Sequence, residues 1–376
     1  MALPGVCMVS ASDVAAFGGA ERQCKLLAEW LAQHGVSVTM LARRTRRGVS
    51  RPRLAFPILR LPLGGLAYAI AGACWLASRG RRFQVLHAHQ ALSPALAAVL
   101  AKRLRPRSRA VVKVACSGEW SDFRLAQARP LYRLRLALLR SVDRFVILNS
   151  ESAADLQAVG LGGVPFRLIP NGVDTNRFAP ATTMERQTIR ASLGFRPEEP
   201  IALFVGRLEP RKGVDLLLTA WARMASRSAS PRLLIVGPGD PEVWAARAHA
   251  LGIESVVSFL GGRDDVDRLY RSADLFVFPS RAEGCPNAVL EAMASGVPIV
   301  ATNVAGNREA LGEDGRTGWL VPADDPGALA DVVEMAAASP NVRREAGQAA
   351  RAAAEERFAI HRVGAQYLSL YEELSG

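Results

Sequence analysis

Short apolar runs alternate with longer amphipathic stretches from one end of this chain to the other. Such alternation, with nearly continuous apolar strands, is typical of parallel sheets covered by helices on both faces. The pattern occurs once in each half, with runs such as VCMV from Val6, VLHA from Val85, IALFVG from Ile201 and LFVFP from Leu275. We therefore predict an α/β chain of two Rossmann-like, doubly wound domains, with ligands at the carboxyl ends of the strands and in a cleft between the domains.

The turn that begins at Pro170, followed by a stretch containing Pro and Thr, predicts the domain boundary. We assign residues 1–178 to an N-terminal domain and 179–357 to a C-terminal domain, and we predict a final helix near 358–376. The sequence MALPGVCMVS predicts a first strand and not a signal peptide. The least polar stretch, Leu61 to Ser78, falls short of the ~20 apolar residues of a spanning helix, so we predict no transmembrane segment.

Charge divides the chain unevenly. Residues 1–180 contain 26 Lys and Arg against 9 Asp and Glu, whereas residues 181–376 contain 21 against 26. The first half is therefore expected to face an anionic partner such as an acidic membrane or a phosphate-rich acceptor, although arginine could serve there only for solubility. No stacking platform or zinc module accompanies the charge, so nucleic acid is not predicted as a partner. The five cysteines form no CxxC pair, which fits a reducing cytosol.

The most specific motif is PSRAEGCPNAVLEAMASGVPIVAT, residues 279–302. A strand ends, a loop carries Glu283 and Gly284, and a helix is predicted to begin near Pro286. The free N–H groups of its first turn, at Asn287 and Ala288, could bind a diphosphate. One turn further, Glu291 could accept from a ribose diol, while Glu283 could reach a sugar hydroxyl. On helical spacing alone, an ordinary amphipathic helix with solvated glutamates would be the better interpretation.

A second motif, GRLEPRKG at residues 206–213, follows the strand IALFV. Arg207 and Lys212 would both point from the carboxyl end of that strand, where a guanidinium and an ammonium suit a leaving diphosphate. A third motif, Gly18-Gly19, opens a helix and is a weak phosphate-loop pattern. His87 and His89 lie at the end of the strand VLHA, where a hydrogen bond to a sugar hydroxyl is favoured over a metal site because no third ligand is visible. For His87 in particular, a packed structural role is the alternative.

Two further patterns are interpreted as structural. Asp265-Val266-Asp267 spells the DxD pattern of metal-dependent sugar transfer, but it opens a predicted helix, where acidic residues suit the positive terminus. The run GPGD at 237–240 resembles a shortened dinucleotide loop, and its proline and missing third glycine predict a turn.

Taken together, these strings resemble glycosyltransferase family 4, whose members have the GT-B fold of two Rossmann-like domains and transfer sugar with retention of configuration. The resemblance implies that Glu283 contacts the donor sugar and that Glu291 contacts the ribose of the nucleotide. It assigns the diphosphate to Arg207 and Lys212. We also include Arg263 among the donor-binding residues. The predicted donor-binding set is Gly19, Arg207, Lys212, Arg263, Glu283, Gly284, Asn287, Ala288 and Glu291, and the predicted catalytic set is His89, Arg207, Lys212 and Glu283.

The resemblance also implies that Gly19 approaches the phosphates or the acceptor, that His89 lies beside the reacting sugar and that no metal is needed. In the family a C-terminal helix crosses back onto the first domain. The sequence departs from the family at residues 305–309, where AGNRE replaces a GGNPE-like string, so a loop near the sugar is expected to differ.

We therefore predict a retaining, metal-independent hexosyl- or related glycosyltransferase that uses a nucleotide-diphosphate sugar and needs no cofactor. Its acceptor is predicted to be a lipid-linked, lipopolysaccharide or capsular saccharide, at the inner face of the cytoplasmic membrane. Three alternatives stay open at this point: a nucleotide-sugar isomerase or epimerase of the same fold, a non-catalytic subunit that binds nucleotide sugars, and a membrane scaffold.

Overall fold

The structure is a computed structural model that describes residues 3–13, 18–44, 54–79, 82–128, 131–226 and 230–376. The chain forms two compact units, Met1–Gly172 with Ile360–Gly376, and Val173–Ala359. Several arginines of the positively charged first half lie outside the described residues, within 45–53 and at Arg81 and Arg129.

The first unit is built on a seven-stranded parallel sheet in the order β3-β2-β1-β4-β5-β6-β7. Between β1 and β4 the strand order reverses, which is where doubly wound sheets bind ligands. The strands are β1 (Val6–Ser10), β2 (Val38–Arg43), β3 (Ile58–Leu61), β4 (Val85–His89), β5 (Arg109–Lys113), β6 (Arg144–Ile147) and β7 (Phe166–Leu168). The helices before residue 172 are α1 (Gly19–Gln33), α2 (Gly65–Ser78), α3 (Ser93–Leu104), α4 (Asp122–Gln127), α5 (Tyr132–Leu139) and α6 (Glu151–Ala158).

The second unit is built on a six-stranded parallel sheet in the order β10-β9-β8-β11-β12-β13, which reverses between β8 and β11. The strands are β8 (Ile201–Val205), β9 (Arg232–Val236), β10 (Val257–Phe259), β11 (Leu275–Phe278), β12 (Ile299–Thr302) and β13 (Trp319–Val321). The helices are α7 (Thr183–Ser192), α8 (Val214–Ala225), α9 (Pro241–Ala250), α10 (Val266–Ser272), α11 (Asn287–Ala294), α12 (Ala305–Leu311), α13 (Pro326–Ala338) and α14 (Pro340–Ala353).

A last helix, α15 (Ile360–Ser375), returns to the first unit. Its residues Val363, Tyr367, Leu370 and Tyr371 are buried in one hydrophobic cluster with α1, β1 and β2. A Cβ at Gly364 would clash with the indole ring of Trp30, so glycine allows the helix to approach α1 closely.

These sheets confirm the predicted fold class, because each half is a doubly wound parallel sheet with helices between its strands. The units divide between Gly172 and Val173, a few residues before the boundary assigned from the sequence. The cause is backbone pairing within the second unit, where the N–H of Val173 donates to the Phe358 carbonyl at 2.8 Å and Val173 bridges to Ala359. In the part of the chain that the structure describes, no helix is long and apolar enough to cross a membrane.

Candidate active site

Two loops meet where the second sheet reverses its strand order. Residues 206–213 follow β8 and residues 279–286 follow β11, and because the strands are parallel both loops leave the same edge of the sheet. The N–H of Arg281 donates to the Arg211 carbonyl at 2.8 Å, and the Arg211 guanidinium donates to the Ala282 carbonyl at 2.8 Å. Backbone and side-chain bonds thus hold the two loops together.

Gly213 closes the first loop in the left-handed region, with φ of +71°. A Cβ at this position would overlap the carbonyl oxygen of Pro279, at the start of the second loop. Only glycine allows both the backbone conformation and this approach, so the glycine of the GRLEPRKG motif fixes the distance between the loops.

The approach brings two predicted site residues, Lys212 and Glu283, into direct contact. The Lys212 ammonium donates to Oε1 of Glu283 at 2.5 Å, and the Ser280 hydroxyl donates to the same oxygen at 2.6 Å. Burial acts to raise the pKa of Glu283, but the charges of Lys212 and Arg211 outweigh it and hold that pKa below its ordinary value. Glu283 is therefore a buried carboxylate that stays ionised and oriented.

The helix α11 begins at Asn287, directly after Pro286, and its apolar face is buried. Asn287 and Ala288, the predicted diphosphate seat, are partly exposed in its first turn. Glu291 is buried, and its Oε2 accepts from the Tyr270 hydroxyl at 3.1 Å. The same hydroxyl lies 3.1 Å from the carbonyl oxygen of Ala288.

Tyr270 was not among the predicted site residues. A single tyrosine in an amphipathic stretch is most often part of the core, and 21 positions separate it from Glu291. Only the packing of α10 against α11 shows that its hydroxyl orients the glutamate.

Arg207 and Arg263, the two arginines of the predicted site, each form an ion pair with an acidic residue two positions further along the chain. Arg207 follows β8, its side chain is 53% exposed, and it lies 3.3 Å from Oε1 of Glu209. Its exposure leaves the guanidinium accessible to a ligand at the loop surface. Arg263 follows β10, at the sheet edge, and holds Asp265 through two hydrogen bonds of 2.8 and 2.7 Å.

The DxD string opens α10, as predicted, and arginines bind both of its carboxylates. Asp265 is held by Arg263, and Asp267 accepts from Arg177 at 3.1 and 3.2 Å. Among the described residues, no group of three or more His, Cys, Asp or Glu side chains is placed to hold a metal ion. The GPGD run is not an isolated turn, because the N–H of Leu208 donates to the Pro238 carbonyl at 2.9 Å and Leu208 bridges to Gly239.

In the first unit, His89 ends β4 beside the strand-order reversal. His89 is 2% exposed, and neither of its ring nitrogens has a hydrogen-bond partner among the residues that the structure describes. Burial, His87 and Lys113 together lower its pKa well below the ordinary value. His89 is therefore neutral, with one donor and one acceptor nitrogen available at the carboxyl end of the sheet.

His87 lies two residues before His89 and is packed against other aromatic side chains. Its Nδ1 is 2.6 Å from the hydroxyl of Tyr371 on α15, and the rings of His87 and His89 lie 4.3 Å apart. Burial and Lys113 lower the pKa of His87 well below its ordinary value. The packed structural role considered for His87 from the sequence matches this position.

The backbone after His89 is strained and anchored. Gln90 has φ of +111°, which is rare for a residue with a side chain. The next N–H, that of Ala91, donates to Oδ2 of Asp122 at 2.7 Å, and the N–H of Ala115 donates to the same oxygen at 3.2 Å. Burial raises the pKa of Asp122 to about 6 despite these bonds. Asp122, which sequence reasoning missed, thus ties the loops after β4 and β5 together.

Gly19, the remaining predicted site residue, is the first residue of α1 and is exposed. The residues just before it, 14–17, lie outside the described residues, so the course of the glycine loop is described only from Gly18 onward.

Comparison with known proteins gives a consistent assignment. The family model for Glycosyltransferase Family 4 matches residues 17–177, and that for Glycosyl transferases group 1 matches residues 185–353. Phosphatidyl-myo-inositol mannosyltransferase of Mycobacterium tuberculosis is 32% identical over 310 residues, which are 80% of this chain and 76% of that protein.

Two solved structures share the fold over almost the whole chain. Sucrose-phosphate synthase from Thermosynechococcus elongatus has a TM-score of 0.83 at 25% identity, covering 98% of this chain and 99% of its own. HepE of Anabaena, solved with UDP and glucose, has a TM-score of 0.81 at 19% identity, with coverage of 98% and 99%.

Proposed function

Because the chain belongs to glycosyltransferase family 4, we propose that it transfers a sugar from a nucleotide-diphosphate sugar to an acceptor hydroxyl with retention of configuration. The observation that carries the proposal is the buried Lys212–Glu283 pair at the strand-order reversal of the second sheet, followed directly by α11. Doubly wound sheets bind their ligands at that point, and the first turn of a helix favours phosphate.

Different residues of the second unit would bind different parts of the nucleotide-sugar donor. Lys212 has three donor hydrogens, and its bond to Glu283 uses one, so the ammonium can contact the sugar-binding carboxylate and a phosphate oxygen together. Arg207 and the N–H groups of Asn287 and Ala288 would stabilise the diphosphate as it leaves. Glu291, oriented by Tyr270, would accept from the ribose hydroxyls.

Charge development then explains why Glu283 must stay ionised. As the bond from the anomeric carbon to the diphosphate breaks, the ring acquires oxocarbenium character, and the departing oxygen becomes negative. A carboxylate near the sugar and cations near the diphosphate stabilise both charges. We propose same-face attack, in which the leaving diphosphate accepts the acceptor proton, and we propose that the neutral ring of His89 hydrogen bonds the reacting sugar.

We further propose that transfer needs no metal. The support is the pairing of both DxD carboxylates with Arg263 and Arg177, which supply the positive charge there. Activity should therefore be unchanged in excess EDTA. Loss of activity in EDTA that returns with magnesium or manganese would contradict this part of the proposal.

For the acceptor, we propose a lipid-linked or envelope saccharide at an anionic membrane surface. The relative from Mycobacterium tuberculosis is named for a phosphatidylinositol acceptor, which is a membrane lipid. The first unit carries 26 Lys and Arg against 10 Asp and Glu. Large apolar side chains are exposed on its segment 118–140, where they would enter the interface between lipid headgroups and acyl chains. These side chains are Trp120, Leu125, Leu131 and Leu134. Such binding would place the protein at the cytoplasmic face of the membrane.

Donor binding can be tested by thermal shift with UDP-, GDP-, ADP- and dTDP-sugars, since a ligand that binds only the folded state raises the melting temperature. UDP-glucose belongs in the set because HepE was solved with UDP and glucose. The donor that stabilises the wild type should not stabilise Lys212→Ala, whereas Arg247→Ala, an exposed arginine on α9, should behave as wild type. Failure of all four classes would contradict the proposal. Release of one nucleoside diphosphate per glycosylated acceptor then distinguishes transfer from isomerisation.

A further inference from the structure

A cavity of about 500 Å³ lies in the second unit, away from the donor loops. Its wall includes Ala273 and Asp274, which lead into β11, and Val297 and Pro298, which lead into β12. The cavity is therefore at the amino-terminal edge of the sheet, whereas the loops that hold Lys212 and Glu283 leave the carboxyl edge. Cavities of this size commonly hold small metabolites.

One face of α14 forms a wall of this cavity. The lining residues of this helix recur every three or four positions, which places them on the same side. They are Pro340, Arg343, Arg344, Gly347, Gln348 and Arg351. The face therefore directs three arginines toward one space, where a helix face that packs on a core would carry apolar residues at the same spacing.

The lining has an excess of positive charge after its internal pairs are formed. Arg186 pairs with Asp274 at 2.5 Å, and Arg351 pairs with Glu355 at 2.5 Å, which neutralises both lining carboxylates. The remaining lining arginines are Arg271, Arg343 and Arg344. Arg271 donates to the Arg177 carbonyl and Arg343 to the carbonyls of Ala336 and Ala337, and none of the three has a carboxylate partner among the described residues. Three guanidinium groups whose charge no carboxylate neutralises are expected to attract an anion.

Several polar groups of the lining lack partners within the described part of the chain. Arg344 is exposed and makes no hydrogen bond or ion pair with any described residue. The Nε of Arg271 and the hydroxyl of Ser295 are buried without a hydrogen-bond partner among those residues, and Ser295 is 4% exposed. The Arg271 Nε and the Ser295 hydroxyl are enclosed in the wall of the cavity, whereas the exposed guanidinium of Arg344 is accessible to a ligand.

We propose that this cavity is a second binding site, for the phosphate monoester of a small metabolite such as a sugar phosphate. Arg271, Arg343 and Arg344 would bind the phosphate. Apolar lining residues, including Pro180, Val297 and Pro340, provide a surface for the carbon skeleton. A phosphate alone would leave most of the volume unfilled, so the ligand carries a larger body.

The cavity is connected to the donor site through Tyr270. Tyr270 lines the cavity, and its hydroxyl donates to Glu291, the residue assigned to the donor ribose. Ser295 and Gly296, also in the lining, immediately follow α11, which carries Glu291 at its buried face. A ligand that moves the Tyr270 ring thereby changes the orientation of Glu291, so occupancy of the cavity regulates donor affinity. This second step rests on the proposed function, whereas phosphate binding does not.

Binding is tested by calorimetric titration of the full-length protein with glucose 6-phosphate, and with glucose as the unphosphorylated control. We expect saturable binding of the phosphate only, weakened about tenfold or more in Arg344→Glu. Arg247→Glu, an exposed helical arginine outside the lining, should bind as wild type. Lys212→Ala should also bind as wild type, because it removes a cation of the donor site. No saturable binding, equal binding by Arg344→Glu, or loss only in Lys212→Ala would overturn the site.

Regulation is tested by measuring the affinity for the stabilising nucleoside diphosphate with and without glucose 6-phosphate. The affinity should change by about fivefold or more in the wild type, and the phosphate ester should respond equally to the nucleotide. Tyr270→Phe keeps the ring but removes the hydroxyl that orients Glu291, so it should bind the nucleotide more weakly, bind glucose 6-phosphate as wild type, and show no change of nucleotide affinity when glucose 6-phosphate is added. An unchanged affinity in the wild type would overturn the regulation. Absence of any nucleotide binding would instead count against the proposed function, with the glucose 6-phosphate titration still interpretable.

Discussion

In the second unit, the point where the strand order reverses holds a buried ion pair, whereas the corresponding point in the first unit holds two buried neutral rings. Glu283 stays ionised because the charges of Lys212 and Arg211 hold its pKa below the ordinary value, while burial lowers the pKa of His87 and His89 until both are neutral. The difference shows that one topology can support opposite electrostatics at the same position. Loop sequence, and not the sheet, decides which is present.

The unit with the neutral reversal point carries the larger net charge. The first unit, whose reversal point is neutral, carries 26 Lys and Arg against 10 Asp and Glu, while the second carries 21 against 25. A cationic exterior suits an anionic surface, and a charged interior suits a ligand whose charge changes during reaction. The division is consistent with an acceptor-binding unit and a donor-binding unit.

The largest effect is expected at Glu283. Glu283→Gln keeps the size of the side chain and its bond to Ser280 but removes the charge that faces Lys212 and the developing oxocarbenium ion. We expect kcat to fall by about 30- to 1,000-fold, or ~2–4 kcal/mol, because the interaction is strongest in the transition state. Steady-state kinetics measure the change, with a melting curve as the control for folding. A folded variant with unchanged kcat would remove Glu283 from the reaction.

The burial of the Asp122 carboxyl in the first unit can be tested through the pH dependence of folding stability. Its pKa is raised from 3.8 to about 6, so between these values the folded state holds a proton that the unfolded state has released. The stability of the wild type should therefore fall as pH rises from 4 to 6, by up to about 3 kcal/mol from this group, and then level off. Asp122→Asn keeps an acceptor for Ala91 and Ala115 but cannot titrate.

Unfolding by denaturant at several pH values measures this effect as the difference between wild type and Asp122→Asn, in which other titrating groups cancel. The advantage of the wild type should shrink as pH rises from 4 to 7. A difference that is constant with pH, or one that grows, would show that the Asp122 carboxylate is not held in a burial-dominated site.

Glu291 should separate binding from chemistry within the second unit. The ribose changes little during the reaction, so its contact is about equally strong in the ground and transition states. Glu291→Gln should raise the donor KM by about tenfold with little change in kcat. Comparison with Glu283→Gln in the same assay tests the division of roles, and identical kinetic defects in the two folded variants would refute it.

The smallest single effects are expected at the basic surface of the first unit. Arg133 and Arg140 are exposed at or next to α5. Each change to Gln should weaken binding to anionic vesicles by about fivefold, or ~1 kcal/mol, and the loss should diminish with added salt. Arg247→Gln in the second unit is the matched control. Vesicle sedimentation that does not distinguish anionic from neutral lipid would indicate that the acceptor is presented away from an acidic surface.

The sheet architecture could be predicted because its strands are apolar runs bounded by turn residues. The run LFVFP became β11, and the run IALFVG became β8. Strand β3, whose four residues lie between Pro57 and Pro62, was not among the strands predicted from the sequence. Local pattern thus identified the other strands, including the three-residue edge strands β7, β10 and β13.

For the candidate active site, the sequence could predict individual residues but not their contacts. The motifs named Lys212 and Glu283 separately, but their contact joins residues 71 positions apart and depends on how two loops pack. Tyr270 and Asp122 had no motif, since each acts through a partner on another element. The pattern of a sequence indicates which residue types lie near a ligand, whereas the contacts that set their ionisation and orientation depend on tertiary structure.

The return of α15 to the first unit has a consequence for how the protein is made. Residues 173–359 are synthesised between the two segments of the first unit, so a nascent chain cannot complete that unit until its last residues leave the ribosome. Until then the hydrophobic cluster lacks Tyr367 and Leu370, and His87 lacks the hydroxyl of Tyr371. The second unit can close around its own core earlier, because its segment is continuous. The environment of His87 and His89 is thus assembled last, and a product of premature termination would have an intact second unit and an unfinished first unit.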